Sequence, residues 1–170
     1  MMRPDIRLIL PSPQTVLEAF ATPEAVIPHR RPELIAGLHR LHTLHRAYRA
    51  ASTDVATEGL PESVLRDASA SVTSLGADIE HTVFEIDAEV ARRLDAHGGA
   101  SFDAPLHTES IGAILSRVAL LWIEVDAHRE GTQELPAAVE LFELIGAYGS
   151  LREAIASGNR QLPTVRRPCS

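Results

Sequence analysis

The chain has 170 residues, a net charge of −7 and 45% apolar residues, which fits one globular domain with a real core. All 16 basic residues are Arg, so Schiff-base, P-loop and kinase-type lysine chemistry are excluded. The acidic balance argues against a nucleic-acid partner, because phosphate binding needs clustered cations and the one basic cluster is the short stretch Arg160 to Arg167.

A single cysteine, Cys169, cannot form an internal disulfide. The apolar stretch Leu8–Leu10 is cut off by Pro11 and Pro13, too short for a signal peptide. The run Val118–Ile123 is closed by Glu124, too short to span a bilayer. The expectation is a cytoplasmic protein with no membrane partner.

Residues 1–31 read as a proline-bearing arm with one short helix over Thr15–Phe20. A first long helix is expected from Pro32 to about Ala51, with the stripe Leu34, Leu38, Leu41, His45, Tyr48. His45 sits within that stripe, His42 beside it, and His39 points away. A second helix is expected from after Pro61 to Ala96, ended by His97-Gly98-Gly99. Its stripe (Leu65, Ala68, Val72, Leu75, Ile79, Val83, Ile86, Val90, Leu94) keeps coiled-coil-like steps of three and four, which favours a homodimer. Glu80 and Asp87 flank it.

A third helix is expected to open at Thr108 or Ser110 and run to about Arg129, with the stripe Ile111, Leu115, Val118, Trp122, Val125, and Gly131 ending it. A fourth runs from Pro136 to about Ser157, with the stripe Leu141, Leu144, Tyr148, Leu151, Ile155 and a stop at Gly158. Four such stripes predict an all-α fold: an antiparallel four-helix bundle over residues 32–158, with a long second helix, the N-terminal arm, and a flexible tail over 159–170.

The third helix also carries a resemblance. His107-Thr108-Glu109-Ser110-Ile111-Gly112, followed by Leu115-Ser116-Arg117-Val118-Ala119-Leu120-Leu121, resembles a bacterial all-helical family, domain-of-unknown-function family 4254. That family shows a T-E-T-P-G-S-like turn followed by D-R-L-S-x-L. Thr108, Glu109, Gly112 and Arg117 match, and Ser116 replaces the Asp. Asp87 in Val83-Phe84-Glu85-Ile86-Asp87 matches an upstream I-E-x-I-D-like stretch. In the first long helix His42 stands near an expected Asn, and the family's Trp and acidic pair are absent. The resemblance implies a helical bundle and no established reaction. Members occur in bacterial gene clusters for cell-surface polysaccharides and secondary metabolites.

The polar residues near these stripes define the functional expectations. A cofactor-independent biosynthetic enzyme would use His45 as acid or base, His42 and Asp87 to orient it, and the Glu109 turn beside it. Arg117, Glu80 and Trp122 would hold a small, carboxylate-bearing metabolite. Arg117, two turns beyond Glu109, is expected to pair with Asp87 or Glu80 across the bundle. The alternative is a non-catalytic binding or scaffold protein assisting a partner enzyme, whose polar residues close on one another. A ferritin-like metal oxidase comes last: Asp78-x-x-His81 is one imperfect, outward copy of a motif needed twice, so neither metal nor cofactor is expected.

Overall fold

The computed structural model describes residues 9–22, 27, 32–96, 103–128 and 136–163, and the described part is all-helical. The elements are α1 (Pro13–Ala21), α2 (Pro32–Ala56), α3 (Glu62–Ala96), α4 (Ile111–Ala127) and α5 (Pro136–Ala156). The four long helices lie where the apolar periodicity places them, with α2 running one turn past its expected end. The expected stops at Gly98-Gly99 and Gly131, and the terminal Cys169, lie outside the described residues.

Several of the described boundaries have a chemical cause. Ser12 caps α1 by accepting the Thr15 N–H, and Pro13 supplies a preset φ in the first turn. Ser110 caps α4 by accepting the Ala113 N–H. The α2–α3 turn passes through Gly59 at φ +83°, a conformation that needs glycine.

Helices α2 and α3 are antiparallel. Glu33 near the start of α2 meets Arg93 near the end of α3, Arg40 meets Glu85, and Tyr48 approaches Gly76. Helix α4 packs on both, parallel to α2: His45 meets Ser116, and Arg49 meets Ile123. Helix α5 is antiparallel to α4, because Leu106 before α4 forms a parallel bridge with Gln161 after α5. The His107 N–H donates to the Gln161 carbonyl at 2.8 Å, so residues 159–163 return to the body.

The finer expectation, one antiparallel bundle of four helices, is not confirmed by this packing. Helices α2, α3 and α4 pack pairwise, α5 lies mainly on α4, and α1 joins α5 to α2. The arm is therefore part of the core. Ile9, Leu10, Val16, Ala19 and Phe20 are buried with the long helices. The Tyr148 hydroxyl donates to the Pro11 carbonyl at 2.8 Å, and Arg152 Nε donates to the Leu10 carbonyl at 3.1 Å. Burial pushes the Tyr148 phenol well above its usual pKa, so it stays a donor.

The long stripe of α3 is unevenly covered. Ile86 and Val90 are buried against α2 and α4, whereas Leu65, Val72, Leu75 and Ile79 are only half buried. The 17-residue α4 is half the length of the 35-residue α3 and cannot cover all of it.

At Gly112, α4 crosses close against α3. A Cβ on Gly112 would lie 2.5 Å from the Val83 carbonyl oxygen and 3.0 Å from Asp87 Oδ1. A backbone oxygen cannot swing aside, so this position requires glycine. Gly112→Ala should cost about 1–3 kcal/mol although alanine is the better helix former. Gly146→Ala, on α5 where a Cβ meets nothing within 4 Å, should gain up to about 1 kcal/mol. Urea unfolding of both variants measures the contrast; equal effects would contradict the crossing.

Candidate functional site

The polar cluster lies where α2, α3 and α4 meet. Asp87 on α3 reaches the N-terminus of α4 and accepts the Gly112 N–H at 2.6 Å. It also accepts a hydrogen bond from the Ser110 side chain. The first amides of a helix lack intrahelical partners and carry its positive dipole end, which suits a carboxylate. Desolvation is nonetheless the largest effect on Asp87 and pushes its pKa up, against the two hydrogen bonds that pull it down.

One turn further along α4, about 6 Å away by helix rise, Ser116 meets His45 of α2. Their Oγ and Nε2 atoms are 2.8 Å apart. His45 is 7% exposed, and burial, followed by the proximity of His42, pushes its pKa below 6.5. The ring is therefore neutral at pH 7, and its tautomer decides which atom donates.

His42 does not orient His45 by any hydrogen bond among the described residues. It is buried and stacks on Phe20 of α1, with ring centroids 6.1 Å apart. Burial is the main reason its pKa is low; Arg46 and His39 lower it further, and Asp126 opposes them. His39, expected to point away, has a buried Nε2 without a hydrogen-bond partner. Burial lowers its pKa as well.

Arg117 corrects the cross-bundle expectation. Its guanidinium donates to both carboxylate oxygens of Glu109, at 3.0 and 3.2 Å, and lies 4.0 Å from Glu140 of α5. Glu109 precedes the helix, in a turn held by its own N–H donating to His107 Nδ1, so it is not bound by the helical spacing used to exclude the pair. Asp87 is engaged by Ser110 and Gly112 instead. Glu80 is exposed on α3, outside the cluster. Trp122 is partly buried and packs against the apolar core.

The residue that sequence reasoning missed is Ser116. It appeared only as the serine in place of the family's aspartate. Its position one turn from Gly112, parallel to the α2 stripe, could have pointed to His45.

Among the described residues, no three His, Cys, Asp or Glu side chains are grouped to hold a metal ion. His81 of the imperfect motif lies 3.3 Å from Glu85 on the surface. No helix of the described residues is long and apolar enough to cross a membrane. No family model, curated protein or solved structure matches the chain, so the resemblance of the α4 region remains an expectation.

The buried imidazoles set a pH dependence. The unfolded chain binds protons near pH 6.5 that the folded His45, His42 and His39 resist, so stability falls as pH drops below 6.5 through the lower folded pKa values. Urea midpoints should decline between about pH 7.5 and about pH 5, and less steeply in His45→Gln. A slope unchanged by that substitution would show that His45 is not held neutral by the fold.

Proposed function

We propose that this chain is a non-catalytic binding and scaffold protein, built to hold a partner. The observation that carries this reading is the closure of the polar cluster. Asp87 is taken up by Gly112 and Ser110, His45 by Ser116, and Arg117 by Glu109. Asp87 and His45 are matched within the fold and Arg117 at its surface, and interior polar groups matched in this way stabilise and specify a fold.

Partner contact falls to the exposed apolar side chains. Phe142 is 80% exposed and Val139 59%, three residues apart on α5. Leu120 on α4 is also exposed. Apolar exposure of this kind marks interaction surfaces. A second copy remains part of the proposal through the half-covered α3 seam. Sedimentation of the wild-type chain as a monomer would remove that part.

A second reading, the acid–base enzyme in bacterial secondary metabolism, is favoured by one distance. A hydroxyl 2.8 Å from a neutral imidazole is also the geometry of a nucleophile and its base. A fluorophosphonate probe separates the scaffold from this nucleophilic form of the enzyme. Nucleophilic catalysis gives a stoichiometric adduct on Ser116 Oγ, with fluoride leaving and the hydroxyl proton passing to His45. That adduct would be lost in Ser116→Ala and in His45→Gln. The scaffold reading expects no adduct, and stoichiometric labelling of Ser116 would overturn it.

A further inference from the structure

Away from the closed cluster, a recess of about 500 Å³ opens between the C-terminal halves of α2 and α4. Arg46, Arg49, Thr53 and Asp54 line it from α2, and Asp126 from α4, with Ala50, Ile123 and Ala127 as its apolar wall. This volume is within the range of small-molecule sites.

The charges there are arranged against local helix stability. Asp54 and Asp126 sit in the last turns of α2 and α4. The negative dipole end of α2 lies at Asp54, and an acidic residue is unfavourable at such an end. The resulting negative potential suits a cation. Arg46 lies two turns back from Asp54, about 12 Å along α2. Among the described residues no hydrogen bond or ion pair engages the Arg46 guanidinium or the Asp54 carboxylate. Arg49 donates to the Ile123 carbonyl at 3.1 Å, which pins one edge of the recess and leaves its other donors to a ligand.

We propose that this recess binds an aliphatic zwitterion with separated charges. Its carboxylate pairs with Arg46 and Arg49. Its ammonium lies at Asp54, and its methylene stem covers Ala50, Ile123 and Ala127. A plain anion would face Asp54, and a plain cation would face the two arginines. The arrangement therefore selects for both charges on one molecule.

The test uses the full ¹⁵N-labelled chain with 6-aminohexanoate, hexanoate and hexylamine as probes, followed through the backbone amides of residues 46–54 and 123–127. Binding of 6-aminohexanoate is expected at least about tenfold tighter than either single-charge probe. Arg46→Ala should weaken it about tenfold, and Asp54→Asn should erase the preference over hexanoate. Unchanged helicity and urea midpoints show that each variant is folded. Both substituted positions lie on the rim of the recess, outside the His45 and Asp87 cluster. Hexanoate binding as tightly as 6-aminohexanoate, no shifts in these amides with any probe, or full affinity in Arg46→Ala would each overturn the proposal. None of these outcomes depends on whether the chain holds a protein partner.

Discussion

The contact between Asp87 and the first turn of α4 sets the position of everything around it. Glycine at 112 lets α4 approach the Val83 carbonyl, and the Asp87 carboxylate meets an amide that would otherwise be buried without a partner. With that end fixed, the helical repeat carries Ser116 to His45. Ser110 serves twice, capping Ala113 and donating to Asp87. The cost is visible in the raised pKa of Asp87, because a carboxylate in a tight crossing loses solvation that two hydrogen bonds only partly replace.

This architecture separates two kinds of charged group. Those between α2, α3 and α4 answer one another. Arg46 and Asp54, on the C-terminal half of α2, line a recess, and among the described residues no hydrogen bond or ion pair engages their side-chain charges. Apart from His39 Nε2, which is buried without a partner, Asp87 and His45 are matched inside the fold, which leaves most free chemical capacity at the surface. The functional proposals accordingly rest on surface features: the recess, Phe142 with Val139, and the half-covered seam of α3.

The helices were legible because their signals are local. Apolar steps of three and four, Pro32 and Pro136 at first turns, and Ser110 as a cap need no knowledge of the partner helix. The inward placement of His45 and the half-inward placement of Asp87 followed from the same periodicity. The pairings did not, because a stripe gives a direction and not a neighbour. Arg117 finds Glu109 because the turn before α4 folds back. Asp87 finds an amide because glycine shortens the crossing. The docking of the arm was hidden for a similar reason: beside its buried apolar side chains it is held through the backbone carbonyls of Leu10 and Pro11, which carry no side-chain signature.

Hydrogen exchange at the Gly112 amide tests the central contact most directly. A second-position helix amide has no intrahelical acceptor and, left to water, exchanges quickly. Held by Asp87, it should exchange as slowly as the buried core of α4, and Asp87→Ala should release it while later α4 amides stay protected. Fast exchange of Gly112 in the wild-type chain, or protection unchanged in Asp87→Ala, would contradict the role assigned to this contact.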